Sequence, residues 1–312
     1  KKKAVSDYVL GDANFVFDLV NGPLFKIGLL KISDLEHHLI LTGHHIICDG
    51  WSLGTILYEL GILYSANISN KAPTLPKADS FSIYADEIQT YMESEEHTKT
   101  VKFWLDQYKT SIPQLNLPTD FPRPELRTHK SERLDFPINK ELISKFKKVG
   151  VQHGCSFVTT LMSAFEVLLH IQTGQDDIVV GLPSAGQAAS GKNHLIGHCV
   201  NLLPLRSKIK DDQPFSDYLI SRKLSIFDAY DHQQLSFGEL LQELRIQRDP
   251  SRVPLVPVVF NIDMGMDTGV SFSGLEFKLL SNPRTFETFE LFLNASGTEN
   301  NFVMEWSYNT GL

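Results

Sequence analysis

Cysteine is scarce. Cys48, Cys155 and Cys199 are the three in 312 residues, far apart and without a Cys-x-x-Cys pair. An odd, scattered set argues against a disulfide framework, and a reducing, cytoplasmic setting is expected. Positive charge is not in excess either: 29 Lys and Arg stand against 37 Asp and Glu, a net charge of -8. Without a basic bias to attract a phosphate backbone, nucleic acid is not an expected partner. No apolar run approaches the roughly 18 residues that a membrane span needs. The basic start Lys1-Lys2-Lys3 leads into polar Ser6-Asp7-Tyr8 rather than the apolar core of a signal peptide, so neither export nor a membrane partner is expected. Short-period repeats and low-complexity tracts are missing too. Gly181-Leu182-Pro183-Ser184-Ala185-Gly186 has one residue too many before its serine for a hydrolase nucleophile elbow, which leaves a serine hydrolase unsupported.

What the chain does have is apolar content, 42% of its residues, enough for the core of one large domain or two lobes. Leu39 to Ile47 is short, apolar and rich in branched residues, as expected of a strand buried on both faces. Asp49-Gly50 breaks it. Leu53, Ile56, Leu57, Leu60 and Leu63 then recur at helical spacing, with Ser52 placed to cap the first turn. Further helices are predicted at Ile83 to Met92 and Thr98 to Tyr108. Leu117 to Pro124 holds three prolines in eight residues and is read as the boundary between lobes at 1-125 and 126-312. Beyond it, the pattern predicts an edge strand at Arg133 to Ile138 and helices around Leu142 to Val149 and Ser156 to Gln172, the second stopped by Gly174. A buried strand is predicted at Asp177 to Leu182. Further elements follow at Ser216 to Tyr230, Gly238 to Arg245, Val256 to Ile262 and Phe289 to Asn294. This alternation defines a layered α/β, or α+β, architecture.

His44-His45-Ile46-Ile47-Cys48-Asp49-Gly50 concentrates two imidazoles and a carboxylate. In a strand, adjacent residues face opposite ways, so His44 and His45 could not both reach one ion, and a direct Asp49 contact would need the chain to fold back. No metal site is expected. Spacing alone leaves three roles open for these histidines: packing, acid-base catalysis and metal binding.

The pattern His-His-x-x-x-Asp-Gly, followed by Trp51-Ser52, resembles the signature of condensation domains of nonribosomal peptide synthetases. A shorter form is shared by the chloramphenicol acetyltransferase-like acyltransferases. Further stretches resemble family motifs in the expected order: Phe81 to Asp86, Phe103-Trp104, the strand Ile196 to Arg206, and Arg248 to Leu255. His232 to Gly238 keeps the family's His-Gln and phenylalanine but has Gln234 and Gly238 where acidic residues are usual. With Ala185-Gly186-Gln187, this is similar to members from hybrid polyketide/peptide synthetases, in which case the donor is an acyl or polyketide thioester. Relative to the family the chain starts late, so the first lobe is expected to be incomplete at its N-terminus.

The resemblance implies two chloramphenicol acetyltransferase-like lobes with mixed sheets in a V-shaped pseudo-dimer, with the signature at a tunnel that admits a phosphopantetheine arm from each side. The implied reaction joins a donor acyl or peptidyl thioester to the amine of an acceptor aminoacyl thioester. The implied partners are upstream and downstream carrier domains and an adjacent adenylation domain, with no intrinsic cofactor. By the same resemblance His45 serves as base or positions the amine, and Asp49 pairs with Arg206 to hold the loop. Gly50 forms the turn or offers an oxyanion-binding amide. His44 is expected to pack on the opposite face, and Asn201 to hydrogen-bond within the junction or, in the favoured structural role, to satisfy backbone groups. Trp51 and Ser52 close the core or touch substrate. Arg248 and Arg252 make a salt-bridged turn with Asp249 or bind the phosphate of a carrier arm. An epimerisation domain, a non-catalytic recruitment domain of the same fold, and an acyltransferase using coenzyme A are the alternatives.

Overall fold

The computed structural model describes residues 2–264, 268–298 and 301–312; Lys1 of the basic start lies outside them. The chain divides into two compact units, Lys1–Asp86 with Ala185–Val200 and Gly265–Thr285, and Glu87–Ser184 with Asn201–Met264 and Phe286–Leu312. The boundary expected at the proline-rich stretch does not coincide with this division, because Leu117 to Pro124 falls within the second unit. Two segments that are remote in sequence complete the first unit instead.

The first unit opens with α1 (Lys2–Ala13) and an antiparallel pair, β1 (Phe25–Lys31) and β2 (His37–Gly43), in which Ile27 faces Leu41 and Leu29 faces Leu39. β2 is shorter than predicted. It ends at Gly43, and residues 45–47 form a turn that leaves Ile46 and Ile47 exposed. α2 (Gly50–Ile68) follows, capped by Asp49 rather than Ser52: its carboxylate accepts from the Ser52 N–H at 2.9 Å. Asp49 lies one residue ahead of the helix in extended conformation, the geometry that aims a side-chain oxygen at the free first-turn donors. The 268–285 segment docks on α2, with Ser273 N–H bonded to Ser65 Oγ at 2.9 Å and the rings of Phe272 and Tyr64 edge to face.

α3 (Phe81–Met92) runs from the first unit into the second, and α4 (Glu95–Tyr108) follows. The second unit is built on a six-stranded mixed sheet of β3 (Ser131–Ile138), β4 (Asp177–Ala185), β5 (Val200–Lys208), β6 (Val258–Met264), β7 (Leu291–Thr298) and β8 (Asn301–Asn309). Their spatial order is β3-β8-β7-β6-β4-β5, parallel at β4/β6 and β6/β7 and antiparallel at β7/β8 and β8/β3. β3 is at the edge, as its alternating pattern predicts. Beside α4, the helices of this unit among the described residues are α5 (Lys140–Gln152), α6 (Phe157–Thr173), α8 (Phe215–Asp231) and α9 (Phe237–Glu243). α6 is delimited by Ser156, whose hydroxyl caps its start, and by Gly174 at φ +68°, the left-handed stop that glycine adopts without a Cβ clash. Its apolar face, Leu161, Met162, Phe165 and Leu169, shares the core with Ile178, Val180, Val259 and Phe260 from the sheet. The buried Glu166 carboxylate is met by Arg222 at 2.8 Å and the Tyr218 hydroxyl at 2.7 Å, so the core carries no uncompensated charge there. No single helix among the described residues is long and apolar enough to cross a membrane.

Between β4 and β5 the chain leaves the sheet for the first unit through the short helix α7 (Gly186–Ser190) and a loop that returns at Val200. That excursion supplies half of the candidate site.

Candidate active site

Two stretches 138 to 153 residues apart meet in the first unit: the turn His44 to Ser52 and the excursion Gly186 to Cys199. Asp49 is their junction. Its carboxylate is 4% exposed and no cation is among its hydrogen-bond partners. Oδ1 accepts from Ser52 N and Oγ at 2.9 and 2.8 Å and from Gln187 Nε2 at 3.0 Å; Oδ2 accepts from the same Nε2 at 2.9 Å and from Cys199 N at 3.0 Å. Burial pushes the carboxyl up, but the bonds from Gln187, Cys199 and Ser52 together outweigh it and hold Asp49 below the usual carboxylate range. A buried anion is tolerable here because its lone pairs are satisfied by oriented dipoles.

The resemblance gives Asp49 to Arg206. The structure gives Arg206 other partners: its fork grips Asp177 at 2.8 and 2.6 Å and reaches the Gln107 and Ser111 carbonyls at 2.6 and 3.0 Å, all within the second unit. The role expected of the arginine passes to Gln187. In the sequence Gln187 stood out only as part of Ala185-Gly186-Gln187, and no local pattern links it to Asp49.

His45 sits on the turn after β2, exposed, with Nδ1 2.9 Å from His198 Nδ1 and the two rings edge to face at 4.9 Å. Partial desolvation and the neighbouring His45 ring, against weaker opposing pulls from Asp49 and a hydrogen bond to the His45 backbone, hold His198 below the usual imidazole range. The His44 Nδ1 accepts from Ile46 N–H at 3.1 Å, and its ring meets Phe17 edge to face. Because the two histidines lie beyond the strand, the alternation argument does not apply to them, and a turn rather than a pleat separates their directions. Among the described residues no group of three or more His, Cys, Asp or Glu side chains is arranged to hold a metal ion.

Gly50 opens α2, and its φ lies outside the left-handed region, so the turn does not itself demand glycine. Its N–H is one of the first-turn donors for which a helix has no internal acceptor. Trp51 Nε1 donates to the Asn193 carbonyl at 3.0 Å, and the fully buried Ser52 hydroxyl lies 2.8 Å from Asp49 Oδ1 and 3.0 Å from the Gly197 carbonyl while accepting from Gly197 N–H. Both side chains therefore tie the turn to the excursion. The closeness leaves no room at Gly186, where a Cβ would strike the Cys199 carbonyl and the Tyr84 hydroxyl, or at Gly197, where it would strike the Phe81 ring. The Phe81 to Asp86 motif is thus a wall of this site.

The remaining candidates serve the second unit. Asn201 donates to the Gln233 and Leu235 carbonyls at 2.7 and 2.6 Å and accepts from Leu202 and Phe237 N–H. His232 stacks on Phe103 at 3.9 Å, and its carbonyl takes the Trp104 indole N–H at 2.8 Å, which joins two family motifs into one packing unit. Asp249 accepts from Ser251 N–H and Oγ and pairs with Arg252 at 3.7 Å, a local charged turn; Arg248 is exposed.

Comparison with known proteins agrees with this architecture. The family model described as "Condensation domain" matches residues 1–312. Bacitracin synthase 3 of Bacillus licheniformis is 31% identical over 296 residues, and tyrocidine synthase 3 of Brevibacillus parabrevis is 33% identical over 296, each match covering 95% of this chain. The chain spans only 5% and 4% of the length of those relatives. Among solved structures, a four-domain nonribosomal peptide synthetase bound to AMP and glycine superposes with a TM-score of 0.86 at 21% identity, over 100% of this chain and 25% of that one. The condensation domain of the monacolin K polyketide synthase does so with 0.87 at 17% identity, over 100% and 72%. The chain belongs to the condensation-domain family, and its mixed α/β fold is that of condensation-domain structures.

Proposed function

We propose that this chain forms an amide bond between a donor acyl or peptidyl thioester and the amine of an acceptor aminoacyl thioester, each carried on the 4'-phosphopantetheine arm of a carrier domain. The observation that carries this is His45, an exposed imidazole on the turn that leads into the buried, fully hydrogen-bonded Asp49 carboxylate, in a chain of this family. An α-amine has a pKa of about 7.7 to 8.0, so much of it is protonated at neutral pH and an adjacent base increases the reactive form. The amine nitrogen attacks the thioester carbon, the C–N bond forms and the C–S bond breaks. His45 Nε2 takes the proton that the nitrogen sheds and returns it to the departing thiolate. Such help is worth about 10² to 10⁴ in rate, and tethering both substrates contributes on a similar scale.

Asp49 fixes the turn from which His45 projects, and Gly50 N–H, at the positive end of α2, is placed in this scheme to bind the oxyanion. The reaction needs only the two thioester-borne substrates and no resident cofactor. Upstream and downstream carrier domains and an adjacent adenylation domain are the proposed partners, in the cytoplasm, which accords with multidomain synthetases among the relatives.

The test is mass spectrometry of the protein mixed with an acyl-loaded donor carrier and an aminoacyl-loaded acceptor carrier, for the parent and His45→Ala. Transfer to the acceptor, lost in the variant at an unchanged melting temperature, is expected. Transfer at the parental rate in His45→Ala refutes the role of His45. Racemisation of one aminoacyl thioester without transfer would indicate epimerisation, carrier binding without chemistry a recruitment domain, and use of a free acyl-coenzyme A a stand-alone acyltransferase.

A further inference from the structure

Two imidazoles facing each other through Nδ1 at 2.9 Å hold one hydrogen between those nitrogens, and its location decides what His45 can do. If His198 donates, His45 presents Nε2–H and cannot take a proton there. If His45 donates, its Nε2 carries the lone pair. The amide-forming scheme proposed above requires the second arrangement.

We propose that His198 is a positioning residue that accepts the Nδ1–H of His45, fixing the tautomer and ring orientation in which His45 Nε2 faces the acceptor amine. This deepens the proposed function and rests on it. Three observations support it. His198 is brought to His45 by a rigid frame, since its neighbours Gly197 and Cys199 are both bonded through their backbones to the 49–52 turn. Desolvation and the His45 ring, against weaker opposing pulls from Asp49 and the His45 backbone, lower the pKa of His198 and so favour the form that can accept. Nε2 of His45 has no hydrogen-bond partner among the described residues, so it is the nitrogen left for substrate. Orientation of a base by a third group is a general device for activating acid-base pairs. When His45 becomes imidazolium in the reaction, the hydrogen bond to His198 becomes charge-assisted and stronger, so the pair favours the protonated intermediate over the resting state.

The test combines NMR of [¹⁵N]histidine-labelled protein, with His45 assigned through His45→Ala, and kinetics of His198→Leu and His198→Asn. Leucine removes the acceptor; asparagine keeps an oxygen near the position of Nδ1. In the parent, His45 is expected as the Nδ1–H tautomer, reverting in His198→Leu towards the Nε2–H form. kcat should fall about 10- to 100-fold in His198→Leu, with acceptor KM little changed, and recover largely in His198→Asn. An Nε2–H tautomer for His45 in the parent, or an unchanged kcat in His198→Leu, overturns the proposal. If the parent transfers no acyl group with any carrier pair, the proposed function has failed, and the tautomer of His45 still decides whether His198 is its acceptor.

Discussion

Gln187 Nε2 lies 3.0 and 2.9 Å from the two carboxylate oxygens of Asp49, so a single amide bridges a buried anion whose other donors come from Ser52 and the backbone of Cys199. The amide orientation follows from this contact, because the flipped form would set Gln187 Oε1 against the carboxylate. Gln187→Leu keeps the volume and removes the bridge, and it should cost about 1.5 to 3 kcal/mol, the range for hydrogen bonds to charged groups. Urea denaturation of parent and variant measures this directly. A midpoint shift smaller than that of an exposed control such as Gln152→Leu would remove Gln187 from its role.

The same carboxylate makes stability depend on pH with a definite sign. Asp49 is held below the ordinary value of about 3.9, so the folded state binds its proton more weakly than the unfolded chain. Its contribution is complete above that value and disappears as pH falls through the lower folded pKa. Asp49→Asn replaces one of the two acceptor oxygens with an NH2 that faces the donors of Gln187 and Ser52 or Cys199, and should be destabilised near neutral pH. The gap between parent and variant should narrow below about pH 4. His170 works in the opposite sense. The Gln175 carbonyl, then Asp211 and Asp176, raise its pKa, so its contribution is full below about 6.5 and is lost as pH rises through the folded value. Because Asp211 and Asp176 are solvent-exposed, His170→Gln should differ from the parent by no more than about 1 kcal/mol at pH 5.5 and by less at pH 8.5.

Much of this was legible locally. Ser156 and Gly174 bracket α6 as a cap and a left-handed stop, and the apolar run at 177–182 is the buried heart of β4. The missed elements have physical causes. β8 buries Phe302, Glu305 and Ser307 on its way through the sheet, and two of those are polar, so its apolar pattern does not announce a strand. Glu305 can be buried because Asn294 and Ser296 on β7 hydrogen-bond it, a cross-strand fact invisible in either strand alone. At the site, His45 and Asp49 were readable from their motif. Gln187 and His198 carry no local signal of their place in the site, because their partners lie 138 and 153 residues away and no periodicity encodes such a meeting. The strand predicted through Ile47 failed for a related reason. Ile46 and Ile47 read as core, yet they are exposed on a turn, since the anchoring of Asp49 rather than apolar content sets where β2 stops.

Arg206 holds Asp177 through Nε and Nη2 and the 107–111 segment through Nη1 and Nη2, and only an arginine offers that planar fork. Arg206→Lys is therefore expected to lose most of the interaction, at a cost of about 1 to 3 kcal/mol. A double-mutant cycle with Asp177→Ala should give a coupling of at least about 0.5 kcal/mol, as residues in one ion-pair network do. A coupling of Arg206 with Asp49 that exceeds the one with Asp177 would restore the pairing that the family resemblance implies.

Cys199 and Cys48 flank the candidate site but should be chemically silent. Burial, with the nearby Asp49 carboxylate adding to it, pushes Cys199 up to about 11, and the same two causes raise Cys48. The nucleophile in alkylation is the thiolate, so at pH 7.5 both should react with iodoacetamide far more slowly than a free thiol of pKa about 8.5, and only at the rate at which the site opens. Gln187→Leu should accelerate the labelling of Cys199, because the Cys199 N–H to Asp49 bond belongs to the network that the variant breaks. Peptide mapping after timed alkylation reads each cysteine separately. Rapid modification of Cys199 in the parent, at the rate of the unfolded chain, would mean that the excursion carrying Gln187 and His198 is not seated on the turn that carries His45.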